Sequence, residues 1–140
     1  MLSTPHASFL AAGALVAAQF FLGTAQSAPL QGSEWKPVRM GEIAVPGEST
    51  AFVQFRSKGR LEGHGGCNRL FAQYQADDGQ IFIGPVAAAR MACAQGLMER
   101  EAALAAALEN ARTYQRLKTR LVLFDREARP VLEMRQTDWD

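Results

Sequence analysis

A glycine-rich loop around one of the two cysteines is the feature that most constrains how this chain can fold. Residues 63–69 read Gly-His-Gly-Gly-Cys-Asn-Arg, and the second cysteine, Cys93, closes the sequence Arg-Met-Ala-Cys at residues 90–93. Glycine permits positive φ and a close approach between backbones, and asparagine tolerates a left-handed turn. We therefore predict a looped or bulged crossing at residues 63–69, where a strand ends.

The N-terminal part of the chain differs in composition from the rest. Residues 1–33 contain no Asp, Glu, Lys or Arg, and an apolar run at residues 8–23 is followed by the small residues Thr-Ala-Gln-Ser-Ala. The run is shorter than the about 20 residues that a membrane-spanning helix needs, and small residues behind it are typical of a cleavage site. We predict a signal peptide at residues 1–27, a periplasmic or secreted mature protein, and no stable transmembrane span. The alternative is an anchor formed by an uncleaved N-terminal apolar segment, since the region before the run lacks Lys and Arg.

Export would bring Cys67 and Cys93 into an oxidising compartment, where two cysteines suffice for one disulfide. Closing a loop of this length stabilises a domain by roughly 3 kcal/mol in the chain-entropy model. Two alternatives stay open, namely a pair of free buried thiols and redox or metal chemistry. The cysteines do not form a Cys-x-x-Cys motif, and a zinc site of His64, Cys67 and Cys93 would lack a fourth ligand. We therefore predict a structural disulfide and no metal or other cofactor.

The overall composition indicates one globular domain without the charge pattern of a nucleic-acid-binding protein. The chain has 140 residues, of which 48% are hydrophobic and 21% charged, as expected for a protein with one core. Its net charge is only +1, and the arginines are scattered along the sequence instead of forming a basic patch. We predict a monomer that does not bind nucleic acid.

Short segments rich in apolar, β-branched and aromatic residues, separated by turn-forming residues, predict a mainly antiparallel sheet. We predict about seven short strands, at residues 51–55, 60–63, 70–74, 80–83, 113–117, 120–125 and 131–135. Residues 35–40 also alternate, and they suit the edge of a sheet because Pro37 lacks a backbone donor.

One strong helix is predicted at residues 96–110. Leu97, Leu104 and Leu108 recur on one stripe of this segment, so its apolar face should pack on the sheet. Its polar face is acidic, which argues against binding to an anionic membrane. A sheet interrupted by one packed helix is an α+β fold, and we expect the sheet to curl toward a partly open barrel.

The two cysteine motifs and the residues around them also have a counterpart among known families. The residues concerned are Gly66, Cys67, Asn68, Arg69, Tyr74, Ile83, Gly84, Arg90, Met91 and Cys93. In this pattern the chain resembles the META domain family of HslJ-like, heat-shock-associated envelope proteins. The resemblance implies a META domain at residues 30–135. Residues 136–140 of the sequence are expected to form a loose tail. The resemblance also implies a small, mainly β, exported or envelope-associated domain that is linked in some members to stress or antibiotic tolerance and has no established catalytic activity.

We therefore expect a non-enzymatic envelope module that binds an unidentified protein or small-molecule partner and supports stress tolerance. After signal removal only His64 remains for histidine-based acid–base catalysis. The alternative function is a thiol-based redox enzyme or sensor that uses Cys67 and Cys93, with His64 as the activating base. Arg69 and Arg90 each adjoin a cysteine motif, and we expect each to make a buried or half-buried polar contact, namely a structural ion pair in preference to a contact with a ligand.

Overall fold

The computed structural model of the chain describes residues 2–3, 5, 13–14 and 29–137. Most of the predicted signal peptide and residues 138–140 of the predicted tail lie outside these residues. Within them, no helix combines the length and the hydrophobicity required to cross a membrane.

One antiparallel sheet and one α-helix make up the described part of the molecule. The strands are β1 (Glu34–Met40), β2 (Ile43–Ala44), β3 (Phe52–Phe55), β4 (Arg60–His64), β5 (Arg69–Asp77), β6 (Gln80–Ile83), β7 (Ala87–Ala88), β8 (Thr113–Leu117), β9 (Arg120–Phe124) and β10 (Pro130–Gln136). The helix, α1, spans Gln95–Asn110, and a short 3₁₀ turn at Ser57–Gly59 joins β3 to β4. The mainly antiparallel β architecture with one helix is as the sequence predicts.

The sheet closes on itself, because β1 pairs with β3 on one side and with β10 on the other. The order around the ring is β1-β3-β4-β5-β6-β8-β9-β10, while β2 and β7 extend the sheet from β1 and β5. The barrel therefore has eight strands and is closed, whereas the sequence predicted about seven strands and a partly open barrel. The difference arises at Pro37, where the register with β10 shifts between Pro37 and Arg39. Such a bulge lets a strand that contains proline pair on both sides.

The barrel is filled by inward-facing apolar side chains from nearly every strand of the ring. The largest of those that are fully buried are Trp35, Val53, Phe55, Leu61, Leu70, Ile83, Leu121, Leu123, Leu132 and Met134. Helix α1 adds Leu104 and Leu108 to the same core and contacts β1, β6 and β10. As predicted, the apolar stripe of the helix is the surface that packs on the sheet.

The guanidinium group of Arg116 covers part of this core near the start of β1. It lies 5.0 Å from the ring centroid of Trp35. It also donates hydrogen bonds to Gln136 Oε1 at 3.0 Å, to the carbonyl of Lys118 at 3.3 Å and to the carbonyl of Pro29. Gln136 lies in β10 and pairs with Trp35, so this residue belongs to the barrel and not to the predicted tail.

Candidate functional site

The two cysteines are joined by a disulfide, with their Cα atoms 6.0 Å apart. The bond connects the loop between β4 and β5 to the segment that precedes α1, as predicted. Cys67 is buried, and no cysteine is free in the described chain. The disulfide therefore fixes the start of the helix against the glycine-rich loop.

A buried carboxylate from the helix organises the same loop. Glu101 is 7% exposed, and its Oε2 accepts hydrogen bonds from the backbone N–H groups of Cys67 at 3.2 Å and Asn68 at 2.6 Å. Its Oε1 accepts a third bond, from Asn68 Nδ2 at 2.9 Å. Burying a charge is costly unless hydrogen bonds compensate it, and charge-assisted bonds of this kind are the strong ones. Glu101 is thus held by the loop that it shapes.

Asn68 extends this network to the second cysteine motif. Its Oδ1 accepts a hydrogen bond from the backbone N–H of Met91 at 2.8 Å, and its Nδ2 also donates to the carbonyl of Met91 at 3.3 Å. The side chain of this buried residue therefore uses both its acceptor and its donor groups within the protein. Asn68 and the disulfide together connect the loop, the helix and the segment at residues 90–93.

The glycines of the loop have different roles. Gly66 has a φ of +103° and needs the left-handed region. A Cβ added to Gly65 would lie 2.2 Å from Glu101 Cγ, and one added to Gly63 would lie 2.5 Å from the carbonyl oxygen of Phe52. Positive φ, which the sequence suggested for the whole cluster, therefore applies to Gly66, while the other two glycines make room for neighbouring atoms.

His64 takes part in the loop as a hydrogen-bond acceptor. Its Nδ1 accepts a bond from the backbone N–H of Gly66 at 3.0 Å, and its ring stacks on Phe52 at a centroid distance of 6.4 Å. The activating base proposed for the redox alternative is thus engaged with the backbone, and Cys67 is bonded to Cys93. Among the described residues, no three His, Cys, Asp or Glu side chains come together as a metal site.

The prediction that Arg69 and Arg90 each form a structural ion pair is wrong. Both side chains are exposed, and neither forms a salt bridge within residues 29–137. Arg69 points away from the core at the first position of β5. The nearby buried carboxylate, Glu101, is satisfied by N–H donors instead of by a guanidinium group.

The other residues of the family pattern are structural or exposed. The half-buried ring of Tyr74 packs edge-on against Phe55 at 5.0 Å, and its hydroxyl donates to the carbonyl of Arg56 at 2.8 Å. Burial raises the pKa of Tyr74 above its ordinary value. Met91 is 65% exposed. Together with Arg90 it lines a cavity of about 420 Å³, whose lining also includes Asn68 and Glu101.

Glu101 is not among the residues predicted from the sequence. It falls four residues after Leu97 and three before Leu104, on the same stripe as the leucines. A carboxylate inside an apolar stripe indicates a buried and hydrogen-bonded group, because charged side chains are almost never buried without partners. That signal was present in the sequence, but it does not show which donors the carboxylate meets.

A wide cleft lies on the outer face of β4, β5 and β6, and we call it the β4–β6 cleft. Its volume is about 820 Å³. The side chains and backbone that line it belong to Lys58, Gly59, Arg60, Leu61, Glu62, Phe71, Ala72, Gln73, Tyr74, Gln75, Phe82, Gly84 and Pro85. Phe71 and Phe82 are 46% and 55% exposed, which is unusual for phenylalanine in a folded domain.

The strand register places aromatic and polar side chains in rows across this cleft. Phe71 lies opposite Glu62, Gln73 opposite Arg60, and Gln75 opposite Phe82. Phe71 precedes Gln75 by four positions on one strand, which corresponds to about 13 Å at the rise of a β-strand. The two phenyl rings thus stand at opposite ends of a polar strip that contains Gln73 and Arg60.

These observations define a closed antiparallel barrel with one packed helix, a disulfide-bonded glycine-rich loop and an outer cleft. The family model of the META domain matches residues 28–138. The chain therefore belongs to the META domain family, and the resemblance drawn from the cysteine motifs is confirmed.

Solved structures share this fold at low sequence identity. The chain is similar to a protein from Burkholderia xenovorans solved by NMR, with a TM-score of 0.64, 19% identity, and coverage of 79% of this chain and 85% of the other. It is also similar to a DUF4847 family protein from Bacteroides vulgatus solved by crystallography, with a TM-score of 0.57, 15% identity, and coverage of 77% and 94%. No curated protein matches the chain.

Proposed function

We propose that the chain is an exported, non-enzymatic binding module of the cell envelope that contributes to stress tolerance. Its N-terminal signal peptide directs export, and the domain that follows binds a partner through the β4–β6 cleft. Membership of the META domain family supports the domain assignment. The apolar, uncharged N-terminal sequence supports export.

The observation that carries the binding role is the exposure of Phe71 and Phe82 at the two ends of a polar strip in the β4–β6 cleft. Exposed apolar surface that is rimmed by polar residues marks interaction sites on folded proteins, and both rings belong to the lining of one cleft. The cleft lies on paired strands, so its geometry is preorganised, which lowers the entropic cost of binding.

The most reactive side chains in and around the glycine-rich loop support a structural role over a catalytic one. Cys67 is bonded to Cys93, Glu101 accepts three hydrogen bonds, and His64 accepts one from the backbone. A nucleophilic thiol enzyme would need a free thiolate. A redox pair, whose oxidised state is itself a disulfide, would need sulfur atoms that are open to attack, whereas Cys67 is buried. No contact of Cys67 or His64 among the described residues therefore supports the redox alternative.

Export and cysteine state are tested together on the full chain expressed in a bacterial host. After fractionation, we expect the periplasmic protein to have an intact mass that begins at Ala28, with no reactive thiol before reduction and two after it. A protein that keeps Met1 and stays in the membrane fraction would support the uncleaved anchor. A single reactive thiol of low pKa in the unreduced protein would support the redox enzyme.

Binding is tested by capture of partners from an envelope extract with the tagged protein. We expect the variant Phe71→Ala/Phe82→Ala to lose the captured material. The matched control is Leu117→Ala, because Leu117 is 67% exposed on β8 and does not line the β4–β6 cleft. Equal capture by all three proteins would contradict a binding role for the cleft.

The stress role is tested by deleting the gene and restoring it as wild type or as Phe71→Ala/Phe82→Ala. We expect reduced survival of the deletion strain after heat shock or antibiotic treatment, and rescue only by the wild type. Full survival of the deletion strain under both treatments would contradict this part of the proposal.

A further inference from the structure

We infer that the β4–β6 cleft binds an anionic oligosaccharide. This inference rests on the proposed binding function and assigns a ligand class to the same site. It follows from three properties of the cleft, namely its exposed phenyl rings, its amide and carboxylate side chains, and its excess of positive charge.

The two phenyl rings suit the faces of sugar rings. A pyranose ring presents C–H groups on its faces and hydroxyl groups at its edge, so a flat aromatic surface can cover a face without removing hydroxyls from water. The π face of an aromatic ring is negative, and the sugar C–H groups are weakly positive. Phe71 and Phe82 stand about 13 Å apart along the strand direction. The Arg112 guanidinium group lies 5.6 Å from the ring centroid of Phe82 on one face, and the exposed remainder of this ring and the ring of Phe71 give a saccharide chain two separate contact points.

The polar side chains between and beside the rings match hydroxyl groups. The terminal amides of Gln73 and Gln75 can each donate and accept hydrogen bonds, and the Glu62 carboxylate accepts them. A sugar hydroxyl also donates and accepts, so it can satisfy either type of side chain. Both glutamine side chains are exposed, and neither makes a side-chain hydrogen bond that the structure shows within residues 29–137.

The charges of the cleft favour an anionic ligand. Lys58 and Arg60 line the cleft, are exposed, and form no salt bridge in the part of the chain that the structure describes. The acidic side chain of the lining, Glu62, is partly neutralised by Arg56 at 3.5 Å. Lysine and arginine on the rim therefore remain available for a carboxylate or phosphate group of the ligand.

Single-stranded nucleic acid would also bring negative charge and flat rings, but it fits the cleft less well. Its hydrogen-bond donors for Glu62 are confined to its bases and, in RNA, to the 2′-hydroxyl, and its phosphodiester groups would place negative charge near this carboxylate. A sugar chain offers several hydroxyl donors to every acceptor of the cleft. The oligosaccharide is therefore the ligand class that uses all three properties.

The test measures binding of oligogalacturonate and of its methyl ester to the full-length mature protein by calorimetry and by NMR shift changes. The two saccharides share the same backbone and differ in charge. We expect the acid to bind about tenfold more tightly than the ester, since one charge-assisted hydrogen bond accounts for such a factor. We expect NMR shift changes at Phe71, Gln73 and Phe82.

Three variants separate the contributions. Arg60→Gln should weaken binding of the acid about tenfold and leave the ester unchanged, whereas Phe71→Ala should weaken both saccharides about equally. Leu117→Ala should change neither. Each variant alters an exposed side chain, and an unchanged thermal melt confirms that it folds.

Oligothymidylate and polyphosphate serve as competitors. Polyphosphate carries negative charge without any sugar, and oligothymidylate carries negative charge with bases in place of most free sugar hydroxyls. Binding of either one as tightly as the uronate would overturn the saccharide class, and so would the absence of saccharide binding at millimolar concentration. If saccharides fail while Phe71→Ala/Phe82→Ala still abolishes capture of a protein partner from envelope extract, the binding module stands and only the ligand class falls. Loss of both results would overturn the two proposals together.

Discussion

Glu101 and Gly65 form a matched pair of residues, one of which occupies the space that the other leaves. The carboxylate of Glu101 reaches the backbone N–H groups of Cys67 and Asn68 only because Gly65 has no side chain. The interior of a folded protein leaves few voids, so Glu101 has little free space into which to move if Gly65 gains a side chain. Both residues should therefore be sensitive to small substitutions.

Gly65→Ala should destabilise the domain by about 2 kcal/mol, because the added Cβ would overlap Glu101 and overpacking costs of this size are typical. The matched control is Gly47→Ala, since a Cβ at Gly47 meets nothing within 4 Å and its φ is not positive. Urea unfolding of both variants measures the free energies. Equal stabilities would show that the loop can move away from Glu101 without cost.

Glu101→Gln should destabilise the domain by about 2 kcal/mol. Three N–H donors meet the two carboxylate oxygens, whereas glutamine offers one oxygen and places an NH₂ group toward at least one donor. The control is Glu99→Gln on the exposed side of the same helix, which should be nearly neutral. A neutral Glu101→Gln variant in urea unfolding would contradict the structural role of the carboxylate.

At this scale the sequence indicates the cysteine pair but not its surroundings. The predicted export and an even number of cysteines indicate a disulfide from the sequence alone. An ion pair at Arg69 or Arg90 would need a nearby carboxylate that is not already satisfied. Glu101 is satisfied by N–H groups that the fold brings to it. These are tertiary contacts between α1 and the β4–β5 loop, which local sequence does not specify.

Among the elements, the disulfide links the start of α1 to the end of β4. Cys67→Ser and Cys93→Ser should each lower the free energy of unfolding by about 3 kcal/mol, because either change opens the same loop. The double variant should lose little more. Thermal melts under oxidising conditions measure the effect, and the wild type under reductant serves as a reference. Additive losses would mean that the two cysteines act separately.

The β9–β10 hairpin should carry a pH-dependent contribution to stability. Arg120 donates a hydrogen bond to Glu133 at 2.8 Å, and this bond holds the pKa of Glu133 below its ordinary value of 4.5. Because the folded state favours the ionised form, the contribution is present above pH 4.5 and is lost as the pH falls through the lower folded pKa.

Glu133→Gln should therefore lower the melting temperature at neutral pH and have a smaller effect in acid. The variant Arg120→Gln supplies the control, because removing the donor should weaken the same pH dependence. Melting temperatures of the wild type and both variants between neutral and acid pH measure the effect. A difference between Glu133→Gln and wild type that does not change with pH would contradict the assigned cause.

The longer elements are predictable from the sequence, and the shortest are not. Alternation and turn residues locate β3, β4, β6, β8, β9 and β10 to within one or two residues, and the leucine stripe locates α1. β7 consists of Ala87 and Ala88, and alanine has little preference for strands. It forms because the chain leaving β6 runs alongside β5, where Ala88 pairs with Leu70.

For the whole molecule, the closure of the barrel is the property that local sequence does not reveal. Pro37 indicates an edge strand, yet the bulge beside it lets β1 pair with β10. Closure also brings Arg116 against Trp35, Pro29 and Gln136, which belong to the first and last parts of the domain. This end of the barrel therefore depends on residues that are distant in sequence.

Arg116→Gln should destabilise the whole domain by about 2 kcal/mol, because it removes several hydrogen bonds and a cation–π contact. The control is Arg126→Gln, since Arg126 is exposed in the turn between β9 and β10 and should contribute little. Urea unfolding followed by circular dichroism measures both variants. Equal stability of Arg116→Gln and wild type would show that this end of the barrel closes without the guanidinium group.

The pairing of β1 with β10 also sets the order in which a newly made chain can fold. Ser33 and Gln136, which meet where these strands pair, are 103 residues apart in sequence. A nascent chain that has reached only α1 has made β1 but not its later neighbour, so one edge of β1 stays unpaired until synthesis is nearly finished. Such long-range pairing gives a high contact order and slow folding. The last strand, β10, thus completes the closure of the barrel. A chain that ends before Pro130 should remain an open sheet that is prone to edge-to-edge association.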